Sequence, residues 1–246
     1  MHKDEYKNIY RHQDKLWWYR GMAEIQTVLL KKYVTRKQNS ILDAGCGTGA
    51  AFGFLSKFGN VTGVDLSDEA LFFSQKLGNV KKSDIKSMPF ASDHFDIVTC
   101  LDVLYHRWVE DWRLSLKEFY RVLKPGGILL IREPAYNWFR GSHDKVDFTK
   151  HRFIKDELEG ELVKAGFKLK KITSANFFLF PIVFIKRLAE MIIPRGKPVS
   201  DRRSVHSLLN IMLFSILQFE AKLIKVLSLP WGSSVICVAQ KKNGKL

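Results

Sequence analysis

Three aspartates in the first hundred residues, Asp43, Asp65 and Asp84, each end or directly follow a short segment with the pattern of a β-strand. In α/β proteins the carboxyl ends of parallel strands meet at one edge of the sheet, and ligands bind there. Carboxylates at that edge accept hydrogen bonds, so Asp43 suits an ammonium group, Asp65 a ribose and Asp84 an adenine amino group. Asp84 alone could be a turn carboxylate without a ligand, but the three acids together indicate a nucleoside site.

The first aspartate opens a glycine-rich turn that leads into a predicted helix. Glycines let the backbone approach a ligand closely, and a helix N-terminus offers unpaired N–H groups. The spacing G-x-G-x-G differs from the G-x-G-x-x-G of dinucleotide sites, and a carboxylate before the turn would repel a pyrophosphate. A tight turn without a ligand is the alternative. The residues that we assign here to cofactor binding are Asp43, Ala44, Gly45, Cys46, Gly47 and Gly49.

Apolar residues follow the same strand ends. Leu66 and Ile85 come directly after Asp65 and Asp84, where they could lie against a purine ring. Leu101 ends the next predicted strand. We include Leu66, Ile85 and Leu101 in the predicted cofactor site.

An aromatic cluster near the N-terminus, Trp17-Trp18-Tyr19, is followed by Arg20. Aromatic rings beside a cation suit a pocket with both polar and apolar walls. We expect a lid helix from which Trp18 and Arg20 contact the cofactor. Ordinary helix packing is the alternative.

His106 is one candidate for moving a proton, because it follows Leu101 by five residues, with Asp102 and Tyr105 beside it. A histidine can accept a proton near neutral pH, and Tyr105 is assigned to the substrate. The alternative for His106 is a structural side chain that caps the loop.

A second group of polar residues follows the fifth predicted strand. His143 with Asp144 could be a base and the carboxylate that orients it. His151 and Arg152 could bind an acidic or phosphorylated acceptor. A polar loop network that holds the chain in place is the alternative, and no metal site is predicted.

Strand and helix patterns alternate along the chain, which predicts parallel βαβ units and a doubly wound, seven-stranded, mostly parallel sheet. We expect N-terminal lid helices in 1–39, a core in 40–174 plus 233–242, and a helical insertion in 175–232 before the last strand. The predicted strands are Ser40–Asp43, Val61–Asp65, Val80–Ser83, Phe95–Leu101, Ile128–Ile131, Phe167–Thr173 and Ser234–Gln240, and the predicted helices include Asp68–Leu77, Trp112–Leu123 and Lys155–Ala165.

The segments ILDAGCGTG, VTGVDLS, SDIKSMPFASDHFDIVTCLDVLYH and EFYRVLKPGGILLIREP together resemble the class I S-adenosylmethionine-dependent methyltransferases, in the type 11 branch with the ubiquinone and menaquinone methyltransferases. The resemblance covers Ser40–Pro134 without a gap. It implies that the glycine turn holds the methionine part of S-adenosylmethionine, Asp65 the ribose, and Asp84 with Ile85 the adenine. It also implies that Leu101 lies beside the methyl group.

The resemblance implies methyl transfer to a small-molecule or lipid-like acceptor by in-line displacement. A nucleic-acid methyltransferase is the second interpretation, suggested by the basic charge, but the Asn/Asp-Pro-Pro-aromatic loop of enzymes that methylate flipped bases is missing after the fourth strand. We therefore do not expect a nucleic-acid partner. The third interpretation is a module that binds S-adenosylmethionine without catalysis. The sequence does not indicate an oligomeric state.

The amino-acid composition excludes some classes of protein. The 246 residues are 46% hydrophobic, which excludes a disordered chain, and the three cysteines lack metal-ligand spacing. The net charge is +15, and Lys150–Leu246 has 18 basic against 7 acidic residues.

The longest uninterrupted apolar run, Phe177–Ile185, is shorter than a membrane span. We expect a cytoplasmic protein in which Phe177–Arg203 either caps the pocket or contacts the inner membrane face. An apolar run is followed there by basic residues, Lys186, Arg187, Arg195, Lys197, Arg202 and Arg203, as in interfacial helices.

Overall fold

The computed structural model describes residues 3–36, 38–192 and 205–243. A seven-stranded sheet forms its centre. The strands are β1 (Asn39–Ala44), β2 (Gly59–Asp65), β3 (Asn79–Lys82), β4 (Phe95–Leu101), β5 (Leu123–Pro134), β6 (Phe167–Ala175) and β7 (Ser234–Lys241). Their order is β3-β2-β1-β4-β5-β7-β6, and β7 runs antiparallel to both neighbours. This confirms the predicted doubly wound, mostly parallel sheet.

Helices cover both faces of the sheet. They are α1 (Lys3–His12), α2 (Trp17–Tyr33), α3 (Phe52–Leu55), α4 (Asp68–Ser74), α5 (Trp112–Val122), α6 (Ser142–Val146), α7 (Lys155–Lys164), α8 (Phe180–Ile192) and α9 (Ser207–Ile224). One hydrophobic core joins the sheet to α5 and α7, and a second joins it to α2, α3 and α9. Strands buried on both faces explain the almost continuous apolar pattern of β4 and β5.

Local sequence signals explain where several elements begin and end. The Ser67 hydroxyl accepts a hydrogen bond from the Ala70 amide at 3.3 Å, so Ser67 is the N-cap of α4, as predicted. The strand after α5 begins earlier than predicted because Leu123 already pairs with Phe95. The Pro-Gly-Gly segment that follows interrupts the register, with Gly126 at φ +78°.

The insertion before the last strand is built into the second core. Leu217, Ala221 and Ile224 of α9 are buried in the core that also contains Ile25 and Leu29 of α2. The described part of the insertion therefore forms part of the layer that covers one sheet face.

Helix α9 is long and apolar enough on average to cross a membrane, although it contains no uninterrupted apolar run of that length. Its 18 residues have a mean hydropathy of 1.4, and 22% of them are buried. By length and composition alone it could cross a bilayer, which is weak support, since core helices of soluble proteins pass the same test. Polar residues such as Asn210 and Gln218 interrupt the apolar sequence of α9.

Candidate cofactor and active site

A cavity of about 490 Å³ opens at the carboxyl ends of β1, β2 and β4, beneath α1 and the start of α2. Its volume is in the range of small-molecule sites. Residues predicted for the site that line it are Asp43, Gly45, Cys46, Gly47, Asp65, Leu66, Asp84, Ile85, Leu101, Trp18, Tyr105 and His106. The structure therefore brings the three strand-end aspartates to one cavity.

The glycine-rich turn brings backbone atoms to the cavity wall. Gly45 and Gly47 have φ values of +78° and +54°, which favour glycine. A Cβ on Gly45 would overlap the side chain of Val103, in the loop after β4. A larger residue at Gly45 would therefore push the turn and that loop apart.

Asp43 is almost fully buried at the base of the cavity. Its side chain is 2% exposed and accepts a hydrogen bond from the Thr99 hydroxyl at 2.7 Å. Burial raises the pKa of Asp43 from 3.8 to about 6, because the Thr99 hydrogen bond offsets only part of the cost of removing the charge from water. A cationic group of a bound ligand would stabilise the charged Asp43 carboxylate and offset this cost.

Asp65 is oriented by backbone amides at the next strand end. Its two carboxylate oxygens accept hydrogen bonds from the Gly47 and Ser67 amides, each at 2.9 Å. Burial raises the pKa of Asp65 although these hydrogen bonds favour the charged form. A carboxylate fixed in this way presents its remaining lone pairs to the cavity, where ribose hydroxyls can donate.

Asp84 is less constrained than the other two acids. Its carboxylate accepts a hydrogen bond from the Lys86 amide at 2.9 Å, which is the turn geometry expected without a ligand. Ile85 is buried and Leu66 is exposed, and both line the cavity. A purine between these two apolar side chains would be within reach of the carboxylate.

The N-terminal helices close the cavity and are tied to the glycine turn. The buried Thr48 hydroxyl donates to Gln13 Oε1 at 2.6 Å, which connects the turn to the segment between α1 and α2. The ring of Trp18 lies 4.8 Å from the guanidinium carbon of Arg132, at the end of β5. The lid position predicted for this region thus agrees with the geometry.

Arg132 places a positive charge in the cavity wall. It donates to both oxygens of Asp102, at 2.6 and 3.2 Å, and it is 7% exposed. Gln26, on α2, also lines the cavity, and its Nε2 atom is buried without a hydrogen-bond partner among the described residues. A buried amide without a partner is costly, so a ligand acceptor such as a carboxylate fits here.

The loop after β4 is held by one buried carboxylate. Glu133 accepts hydrogen bonds from the amides of Val103, Leu104 and Tyr105, at 3.1, 2.8 and 3.2 Å. Burial raises the pKa of Glu133 well above its ordinary value, against the effect of these three donors. Glu133 thereby positions the backbone that carries Tyr105 and His106.

His106 lies in the cavity wall with a defined tautomer. Its Nδ1 atom is 2.8 Å from the Asp147 carbonyl oxygen, which can only accept, so Nδ1 carries the proton. In the neutral ring the acceptor lone pair is then on Nε2. The Tyr105 hydroxyl donates to the Asp147 carboxylate at 3.2 Å, so two consecutive side chains of this loop, Tyr105 and His106, contact Asp147.

Comparison with known proteins identifies the fold and its core. Residues 42–131 match the family model described as a methyltransferase domain. The chain is 41% identical over 115 residues to a malonyl-[acyl-carrier protein] O-methyltransferase of Erwinia billingiae, covering 45% of each chain. It is 32% identical over 130 residues to cycloartenol-C-24-methyltransferase 1 of Oryza sativa, covering 48% of this chain and 36% of that one.

A solved S-adenosylmethionine-dependent methyltransferase from Thermotoga maritima has the same fold, with a TM-score of 0.60 at 20% identity over 97% of this chain and 96% of that one. The match to the family model covers residues 42–131, and the likeness to the solved structure shows the fold of the whole chain. The chain spans less than half the length of these two curated relatives.

The solved neighbour is named as dependent on S-adenosylmethionine, and the residues that line the cavity of this chain fit that cofactor. Asp43 suits the ammonium of the methionine part, and the Gln26 amide with Arg132 suits its carboxylate. Asp65 suits the ribose. When bound, S-adenosylmethionine supplies an electrophilic methyl group on a sulfonium.

Three residues predicted for the cofactor do not line the cavity of the methyltransferase domain. Ala44 is fully buried in the sheet, and Gly49, at φ +83°, packs against Phe52 instead. Arg20 is on the outer side of α2, with its guanidinium 4.0 Å from the Phe214 ring centre. Arg132 lines the cavity, whereas Arg20, which was predicted to do so, does not.

The polar group after β5 also requires correction. Asp144 forms an ion pair with Arg152 at 2.8 Å, and Arg152 also donates to the Ala135 carbonyl oxygen. Burial opposes ionisation of Asp144, but Arg152 outweighs it and lowers the Asp144 pKa. Both residues therefore hold the loop, as the structural alternative proposed, and neither lines the cavity.

His151 is not in the cavity either. Its Nε2 atom lies 2.9 Å from Glu157, in a separate depression of about 320 Å³. The side chain of His143 lies outside the described part of the structure, so its predicted role as a base stays a prediction.

The sequence analysis missed Gln26, Thr48, Arg132 and Glu133. Arg132 and Glu133 are consecutive residues near the carboxyl end of β5. Two charged residues at the end of an otherwise apolar strand are a sequence signal that could have placed them at the site. No comparable signal marks Gln26, because its role depends on how α2 packs over the sheet.

Proposed function

We propose that this protein transfers a methyl group from S-adenosylmethionine to a small-molecule or lipid-like acceptor. The observation that carries the proposal is that one cavity contains two kinds of wall. Asp43, Asp65 and the glycine turn form the part that suits the cofactor. Tyr105, His106 and Trp108 form a mixed aromatic and polar part beside it.

The residues of the chain supply alignment and charge compensation. Methyl transfer needs the acceptor atom in line with the departing sulfur, and a closed cavity provides this orientation. Asp43 offsets cationic charge on the cofactor. If the acceptor is a hydroxyl or an acidic carbon, it must lose a proton, and Nε2 of His106 is placed to accept it.

The named relatives support the class of acceptor. One is named for a malonyl thioester carrier and another for the sterol precursor cycloartenol. The cavity walls contain both apolar and polar side chains, so they can contact the apolar and the polar parts of an acceptor. The acceptor class of this chain is therefore proposed and not shown by these names.

A two-step experiment tests the proposal. Calorimetry with S-adenosylhomocysteine should show binding to the purified full chain. Incubation with S-adenosylmethionine and fractionated metabolite or lipid extracts should then yield a product heavier by about 14 mass units, the mass of one added methyl less a proton.

The variant His106→Gln separates binding from transfer. It should bind S-adenosylhomocysteine like the original chain and lose at least tenfold in transfer rate if His106 accepts the proton, since general-base groups contribute about 10²–10⁴-fold. The matched control is His94→Gln, outside the cavity lining. Absence of binding at millimolar ligand would overturn the proposal, and unchanged transfer in His106→Gln would remove His106 from it.

A further inference from the structure

The outer face of α8 is apolar and its inner face contains a buried cation. Ile182 and Ile185 are 64% and 66% exposed, and Ala189, one turn further, is also exposed. Arg187 is 6% exposed on the opposite face, beside Gly141. A helix at a protein surface normally places its apolar residues inward and its charged residues toward water. Exposure of the outer face of α8 to water is therefore unfavourable.

Helix α9 repeats this arrangement. Its carboxylate, Glu220, is fully buried and accepts hydrogen bonds from the amides of Asn176 and Phe177. Its outer row is mostly apolar, and Leu208 is the most exposed member at 71%. The exposed large apolar residues of α9 are Leu208, Leu209, Ile211, Met212 and Phe219.

Aromatic contacts join the two helices. Phe178, directly before α8, lies 5.7 Å from Phe219 of α9, measured between ring centres. Trp231 stacks on Phe177 at 5.1 Å and is half exposed. We call the outer rows of α8 and α9, with Phe178 and Trp231, the insertion surface. It is larger than the scattered apolar residues of an ordinary protein surface.

The charge around the insertion surface is positive. By sequence, residues 177–231 contain eight Lys and Arg against three Asp and Glu, and one residue of each sign, Arg187 and Glu220, is buried. Lys222 and Lys225 are exposed at the end of α9. A second copy of the chain would bring two such basic surfaces together, which is unfavourable. An anionic phospholipid surface matches both the apolar rows and the charge.

The insertion surface adjoins the lid of the cavity. The side chain of Asn210 accepts from the Trp17 amide at 2.8 Å and donates to the Lys15 carbonyl oxygen at 2.9 Å. Trp18, the next residue, lines the cavity. The exposed start of α9 is therefore fastened to the hinge between α1 and α2.

We propose that the insertion surface docks on an anionic phospholipid bilayer, lying in the interface without crossing it. Crossing would require α9 to leave α2 and expose Glu220. Docking places the lid hinge at the membrane, so an acceptor dissolved in the bilayer reaches the cavity without passing through water. This last step rests on the proposed function, whereas docking itself does not.

Vesicle sedimentation with the full chain tests the docking. Vesicles of phosphatidylcholine with phosphatidylglycerol should sediment the protein, vesicles of phosphatidylcholine alone should sediment less, and added salt should weaken binding. The double variant Ile185→Glu with Leu208→Glu should bind about tenfold more weakly, because it adds two charges that the interface excludes. The matched control is Leu114→Glu with Val163→Glu, two exposed apolar positions on α5 and α7.

Cooperative urea unfolding shows that each variant is folded, and separate calorimetry with S-adenosylhomocysteine keeps failure of docking apart from failure of the proposed function. Two results overturn the docking. One is the absence of sedimentation with anionic vesicles, and the other is equal loss in the test and control variants. A dimer in analytical ultracentrifugation that the test variant alone disrupts, without vesicle binding, would assign the surface to a second copy.

Discussion

At the scale of single residues, Asp43 is placed where folding and binding make opposite demands. Between pH 4 and 6 the folded state holds a proton on Asp43 that the unfolded state has lost, since burial raises its pKa from 3.8 to about 6. Stability therefore falls as pH rises through this window, and above pH 6 the whole cost is present. The same charge is what a ligand ammonium needs.

The variant Asp43→Asn should stabilise the protein without ligand at pH 7.5 by about 1–3 kcal/mol, because each pKa unit corresponds to about 1.4 kcal/mol. It should also abolish detectable binding of S-adenosylhomocysteine. Urea unfolding at pH 7.5 and at pH 4 measures the first effect, which should vanish at the lower pH. Equal stabilisation at both values would contradict the assigned cause.

Asp65 is the residue that we propose for the ribose contact. Asp65→Ala should weaken binding of S-adenosylhomocysteine by at least about tenfold, or 1.4 kcal/mol, in calorimetry. Asp68→Ala is the matched control, since Asp68 is an exposed aspartate whose partner is Lys82 at 2.6 Å. An affinity of Asp65→Ala within twofold of the control would show that the ribose is held elsewhere.

A variant of Gln26 tests whether its side-chain amide binds the carboxylate of the cofactor. Replacing it by Leu removes a buried donor and should weaken S-adenosylhomocysteine by about 1–3 kcal/mol, the range for a hydrogen bond to a charged group. Methylthioadenosine lacks the amino-acid part, so its affinity should change less than twofold. Equal losses for both ligands would mean that Gln26 acts only through packing.

At the scale of elements, the loop after β4 depends on one side chain of β5. Glu133→Gln replaces one acceptor oxygen by an N–H₂ group that faces backbone donors, so we expect a loss of about 2–4 kcal/mol in the free energy of unfolding. Urea denaturation measures it, with the exposed Glu110→Gln as control. An unchanged midpoint would show that the loop is held by its other contacts.

At the scale of the whole molecule, the cavity lies between the sheet and the N-terminal helices, so ligand binding should couple them. S-adenosylhomocysteine at 100 times its dissociation constant should raise the free energy of unfolding by about 2.7 kcal/mol. Hydrogen exchange should slow more in α1 and α2 than in α7, which is remote from the lining. Protection of equal size in α7 would argue against a lid.

The sequence by itself determined the sheet and the part of the cavity that lies at the strand ends. Strand patterns, the G-x-G-x-G turn and the acids Asp43, Asp65 and Asp84 are local signals, because a strand end and the turn after it are only a few residues long. Parallel strands then force their carboxyl ends to one edge. For this reason Asp43, Asp65 and Asp84 line the same cavity.

Only the tertiary structure decided which polar side chains from other elements face that edge. Arg20 and Arg132 are both plausible cations by type, but the rotation of α2 against α9 turns Arg20 outward onto Phe214. Asp144 and Arg152 pair with each other across a loop instead of facing the cavity. These outcomes depend on contacts between residues far apart in sequence, and packing energy, not local pattern, selects among them.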